Sequence, residues 1–165
     1  MRYNFSEKNF DKQFCKEFFD EKIYPLIEAG SSFTLLGMSN VGMDAFLRFL
    51  SMQDWAYFVY LDIPPLGKKT KDEFFLSLYK ELGGKDLNVS TVNSHDACRE
   101  QLRKLLLSGK KVVISLSRFD FMKDEFTNDI FSSIKALENV ERGKIVFIFT
   151  SIKPFHEVNK MAFQY

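Results

Sequence analysis

The sequence predicts an α/β fold: a three-layer sandwich in which helices cover both faces of a mostly parallel sheet of four to five strands. Three observations carry this. Four short runs rich in β-branched and aromatic residues, "SFTLLG" (32–37), "YFVYLDI" (57–63), "KVVISLS" (111–117) and "KIVFIFTS" (144–151), are bounded by polar or glycine-bearing turns. Stretches with apolar residues at helical spacing separate them. The runs are also too continuously apolar for a sheet with one wet face, which points to strands buried between helical layers.

Taken in order, Phe10, Phe14, Phe18, Ile23 and Ile27 mark an amphipathic helix from Phe10 to Glu28, with Asn9 as its cap and Gly30 as its stop. Pro25 has no N–H to give and should kink or divide it. "SFTLLG" then reads as a strand buried on both faces, and each of the other three runs as an inner strand. "TKDEFFLSLYKELGG" has a capping box, Thr70 with Glu73, and closes at Gly83. "SHDACREQLRKLLLSG" runs as a helical pattern from Ser94 to Gly109, and "FTNDIFSSIKAL" sets Phe126, Ile130, Ile134 and Leu137 on one face. The 19 phenylalanines are spread over nearly every element, which reads as core filling.

Composition narrows the function classes. With 165 residues the chain suits one domain with a substantial core. Apolar residues at 45% and charged residues at 27% exclude a disordered chain. The 23 Lys+Arg against 22 Asp+Glu leave a net charge of +1, so nothing draws the whole protein to nucleic acid or to a membrane. The basic segments "GKKTK" and "GKK" read as solvated loops. Cys15 and Cys98 lack metal-ligand spacing and read as reduced thiols. The N-terminus has no apolar signal core and no run reaches membrane-span length, so a cytoplasmic protein is expected.

The stretch "GMSNVGMDAF" (37–46) follows the first strand and opens a helical pattern. Gly37 and Gly42 hold the spacing of the phosphate-binding G-x-x-x-x-G-K-[ST] loop, but Met43 stands in the lysine position and Asp44 in the hydroxyl position. With Phe46, Leu47 and Leu50 this start resembles the AAA+ and STAND group of P-loop NTPases. "KKVVISLSRFDFM" is similar to that group's Walker B strand, and "KIVFIFTS" to the strand ending in its sensor-1 polar residue, here Thr150 or Ser151. The resemblance covers roughly 33–151. It implies a P-loop ATPase-like core over 33–151; with the N-terminal amphipathic helix over 1–32 packed on that core and a C-terminal tail over 152–165, a single globular domain is expected overall. It also implies a cofactor loop made by Gly37, Asn40, Val41, Gly42, Met43 and Asp44.

The departures fall on the chemistry. Met43 and Asp44 replace the phosphate-reading lysine and the Mg²⁺-binding hydroxyl; Ser117 and Arg118 replace the Walker B aspartate and the catalytic glutamate. No catalytic residue is therefore assigned. A charge-assisted hydrogen bond contributes about 1.5–3 kcal/mol, and Met43 cannot make one. Asp44 beside a triphosphate adds repulsion of up to about 4 kcal/mol per charge at ~4 Å and an effective dielectric near ~20. Two readings stay open: a regulatory or interaction module without ATP hydrolysis, and an unconventional ATPase whose Mg²⁺ site is rearranged onto Asp44 and Ser117. ATP, ADP or a simple anion is the ligand expected of the loop, with Mg²⁺ opposed by the substitutions. Lys153 or a partner chain is the substitute cation under the second reading.

The remaining candidates are structural. His95 near a helix start and His156 in the tail read as capping or exposed residues, Asp120 as part of the turn after its strand, and Met38, Met43 and Met52 as packing. The family's fifth strand and helical lid have no counterpart in the sequence, so the first strand should lie at a sheet edge. A protein partner or self-association is expected to cover it.

Overall fold

The four predicted strands all form, each within a residue of its expected bounds, and every pairing among them is parallel. The computed structural model describes residues 16–37, 43–85, 93–125 and 128–154. Its elements are a π-helical turn Phe19–Ile23, α1 Tyr24–Glu28, β1 Phe33–Leu36, α2 Met43–Ser51, β2 Tyr57–Asp62, α3 Lys71–Glu81, α4 Ser94–Leu106, β3 Val112–Ser117, a 3-10 turn Phe119–Glu125, α5 Asn128–Glu138 and β4 Ile145–Ser151. The sheet order is β1-β4-β3-β2.

Pro25 divides the first helix as expected. Tyr24 N–H reaches back five residues to Phe19 O, a wide turn placed just before the proline, and Pro25 then opens α1 where a missing N–H costs nothing. Gly30, at φ +70°, ends it: Gly30 N–H donates to Ile27 O and Ser31 N–H to Leu26 O, the paired bonds of a left-handed helix stop. Lys111 Nζ donates to Ile27 O at 3.0 Å and to Glu28 O at 2.6 Å, placing a cation on the last carbonyls of α1. In α3 the Thr70 cap forms, with Glu73 N–H on Thr70 Oγ1, and Gly83 closes the helix at φ +83°.

Each central strand feeds two cores by alternation. On one face Val112, Ile114, Leu116, Ile145, Phe147 and Phe149 pack with α3, α4 and α5; on the other Val113, Val146 and Ile148 meet Phe19, Ile23, Ile27, Phe46, Leu47 and Leu50. Phe74, Phe75, Phe119, Phe131, Phe147 and Phe149 are fully buried, as core filling requires. Each contributes about 1.5–3 kcal/mol by leaving water. Phe126 lies outside the described residues; Ile130, Ile134 and Leu137 form the buried face of α5.

Three expectations are corrected. β1 is not buried on both faces: its residues are half-buried and Leu36 is 52% exposed, because it sits at one end of the sheet. β2 is not an inner strand but the opposite end, where Tyr57 is exposed while Val59 and Leu61 face the core. Met52 is 81% exposed rather than packed, since it follows the last turn of α2. Cys98 is buried, donates to Phe75 O at 3.1 Å, and has its thiol pushed up to about 12 by burial. Cys15 lies outside the described residues. Among the described residues no helix is long and apolar enough to cross a membrane.

Candidate functional site

In an open parallel sheet the crevice beyond the carboxyl ends of the strands is where ligands bind. Here those ends form a polar row. Crossing from β1 to β2 it runs Gly37, Ser151, Thr150, Ser117, Arg118, Asp62.

Of the loop residues expected from sequence, Gly37 follows β1 and donates its N–H to Ser151 O at 3.1 Å, extending the ladder by one rung. Asn40, Val41 and Gly42 lie outside the described residues. Met43 is the first residue of α2 and half-buried; Asp44 is in its first turn, with its side chain outside the description. The strand, loop and helix order that a phosphate loop requires is therefore present. It is locked by Phe46, Leu47 and Leu50, which bury the apolar stripe of α2 against the sheet.

The end of β3 carries the unusual chemistry. Ser117 is fully buried. Arg118 follows in the left-handed region at φ +55°, a conformation that a side chain-bearing residue rarely takes without a local anchor. The anchor is Thr150, whose Oγ1 accepts the Arg118 N–H at 2.8 Å. The guanidinium turns the other way, toward β2, where Nε donates to Asp62 Oδ1 at 3.1 Å and Nη2 pairs with Asp62 Oδ2. This is the two-pronged fit of a planar fork to a carboxylate. The Arg118 side chain is 41% exposed and that of Asp62 23%.

The other candidates are placed apart from this row or beside it. Ser151 Oγ donates to Lys153 O at 2.6 Å and accepts the Lys153 N–H, a turn that leaves the Lys153 side chain in solvent. Asp120 belongs to the 3-10 turn after β3, and its Oδ1 is buried with no hydrogen-bond partner among the described residues. His95 neither caps α4 nor lies exposed: Asn93 is the cap, and the ring joins two helices through Nε2 and Ser133 O at 3.0 Å, with its edge on Phe75. His156 lies outside the described residues. Asp62 was missed by sequence reasoning, and Thr150 was named only as a sensor-1 candidate, not as the partner of Arg118; an acid closing an otherwise apolar strand was the available signal for Asp62.

At the end of β3 the Arg118 guanidinium would repel a cation, and the Asp62 carboxylate beside it is engaged by that arginine. Among the described residues no group of three or more His, Cys, Asp or Glu could hold a metal ion.

No protein-family model and no curated protein matches the sequence. Solved structures do match. The Walker-type ATPase PABY2304 of Pyrococcus abyssi aligns at 15% identity and a TM-score of 0.63, over 98% of this chain and 51% of its own. Cdc6p from Pyrobaculum aerophilum aligns at 14% and 0.62, over 98% and 45%. The Aeropyrum pernix ORC2 protein, solved as ADPNP and ADP complexes, aligns at 9% and 0.64, over 99% and 48%. The chain thus has an α/β fold that matches the P-loop ATPase fold of these structures. It spans about half the length of these three structures.

Proposed function

We propose that the chain is a degenerate AAA+, P-loop ATPase-like domain that serves as a regulatory or interaction module and does not hydrolyse ATP. The observation that carries this reading is the Arg118–Asp62 ion pair at the end of β3. Hydrolysis of a terminal phosphate needs a metal bridging the phosphate oxygens and a group that orients the attacking water. At this point of the sheet the chain supplies a buried serine and a guanidinium in place of the two acids, so the carboxylates that would anchor Mg²⁺ and orient the attacking water are missing there. Met43 in place of the lysine removes the charge that would draw the phosphates to the loop. A module of this kind acts through contact, with a protein partner or a second copy of the chain.

The test is phosphate release from ATP by the purified chain, with and without Mg²⁺. Release no faster than in buffer is expected. A Mg²⁺-dependent rate that disappears in Asp44→Ala overturns the reading in favour of a rearranged metal site on Asp44 and Ser117.

A further inference from the structure

We propose that the chain has a second binding site, at the amino-terminal end of the sheet, for a small hydroxylated monocarboxylate, with the Arg142 guanidinium as its anion receptor. The site lies at the opposite end from the crevice described above and does not depend on whether ATP is hydrolysed there.

A cavity of about 390 Å³ opens between the end of α1, the end of α5 and the start of β4. That volume falls in the range of small-molecule sites, about 300–1,000 Å³. Ser31, Ser32, Lys135, Glu138, Asn139 and Arg142 line it, and of its lining side chains only those of Ala29 and Ile145 are apolar. Gly30 and Gly143 complete the wall, so close together that a Cβ on Gly30 would sit 2.4 Å from Gly143 Cα. That contact ties the turn after α1 to the turn before β4, so both sides of the cavity are held.

Most of the charge around the cavity is already answered. Glu138 is 7% exposed and has both carboxylate oxygens engaged, Oε1 by the Ser32 hydroxyl and Oε2 by Lys135 Nζ at 2.7 Å. The carbonyl ends of the two helices are met by cations, α1 by Lys111 Nζ on Ile27 O and Glu28 O, α5 by Lys135 in its last turn. Arg142 is left over. Among the described residues its guanidinium has no hydrogen bond or ion pair, and the Ser31 hydroxyl and the Asn139 side-chain amide have no hydrogen bond.

These unused groups select the ligand. The Lys135–Glu138 pair cancels, so the excess charge of the lining is the single positive charge of Arg142. A guanidinium offers a planar fork of donors and no acceptor, which suits a carboxylate. One negative charge matches it, whereas a phosphate monoester would bring close to two. The Ser31 hydroxyl and the Asn139 amide each donate and accept, as the hydroxyls of a ligand do. A monocarboxylate carrying hydroxyls thus answers each unused group in a cavity whose walls are polar.

Gluconate titrated into the isotope-labelled full chain tests this, with sorbitol as an uncharged polyol of the same carbon number. The NMR amide signals of Ser31, Ser32, Asn139, Arg142 and Gly143 are expected to shift and saturate with gluconate and to stay still with sorbitol, while Gly37 at the far end of the sheet does not move. Arg142→Gln should weaken binding at least about tenfold, the loss of a charge-assisted bond. Arg142→Lys should fall between, keeping the charge but not the fork. Asn139→Asp sets a second carboxylate beside that of the ligand and should weaken binding roughly fivefold. Arg142 and Asn139 are both exposed, so these variants leave the core intact, and the unshifted signals of each spectrum verify its fold. No saturable shift, equal shifts with sorbitol, full affinity in Arg142→Gln, or shifts confined to Gly37 and the start of α2 overturns the proposal.

Discussion

Arg118 N–H and Thr150 Oγ1 meet at 2.8 Å across the boundary between β3 and β4, and the bond holds a non-glycine residue at φ +55°. Thr150 is 4% exposed, so water cannot replace its hydroxyl. Thr150→Val keeps the shape and removes the acceptor, leaving the Arg118 N–H unsatisfied in a strained conformation. A loss of about 1–2 kcal/mol is expected in urea unfolding, with Thr150→Ser near the parent. Equal stability of the Val and Ser variants would show that the bond does not hold the turn.

Gly30 and Gly143 give a matched comparison. Both have positive φ, +70° and +78°, but a Cβ on Gly30 would press into the backbone of Gly143, whereas one on Gly143 meets open space. Gly143→Ala should cost about 1 kcal/mol, the left-handed penalty alone. Gly30→Ala adds a backbone collision and should cost at least about 3 kcal/mol. Chemical denaturation of the two variants checks the order; equal losses would mean that the two turns do not touch in solution.

How far the sequence could be read follows from what each feature depends on. The strand "VVISLS" was legible because all six residues are buried and the pattern is local. So were the Thr70 cap, the Gly30 and Gly83 stops and the break at Pro25, each decided within a few residues. The strand order was not legible from such patterns. "YFVYLDI" is nearly as apolar as the central strands, yet it closes the sheet, and its aromatic side chains fit a half-covered face as well as a core. The Arg118–Asp62 pair joins residues 56 positions apart and exists only because β2 lies beside β3. Sequence spacing marked Arg118 as a loss of chemistry; the partner that gives it a role is a product of topology.

At the opposite end of the sheet, Ser32 holds three elements together. Its Oγ donates to Glu138 Oε1 and accepts the Phe147 N–H at 2.9 Å, while Lys135 Nζ meets Glu138 Oε2 at 2.7 Å. Glu138 is 7% exposed, a depth at which a carboxylate needs all its partners. Ser32→Ala leaves a buried carboxylate oxygen and a strand N–H without their partner. The expected cost is about 2–3 kcal/mol, measured by denaturant unfolding. A loss below about 0.5 kcal/mol would mean that water fills the gap.

Cys98 links burial to a pH dependence. Its thiol sits in the α3–α4 core, donates to Phe75 O, and is pushed up from 9.0 to about 12 by burial. Below pH 9 the thiol keeps its proton in both folded and unfolded chains, and its contribution to stability is fully present. Between pH 9 and about 12 the unfolded chain releases the proton while the folded one retains it, so stability falls as pH rises, by up to about 1.4 kcal/mol per unit. The readout is the stability difference between the parent and Cys98→Ala, which should narrow above pH 9 and stay constant below it. The same burial makes the thiol unreactive. In a Cys15→Ser background, which leaves Cys98 as the sole thiol of the two in the chain, a thiol reagent at pH 8 should label the protein only when it is unfolded. Labelling on mixing with the folded protein, or a stability difference that does not change across pH 9, would place Cys98 in contact with solvent and contradict its position in the core.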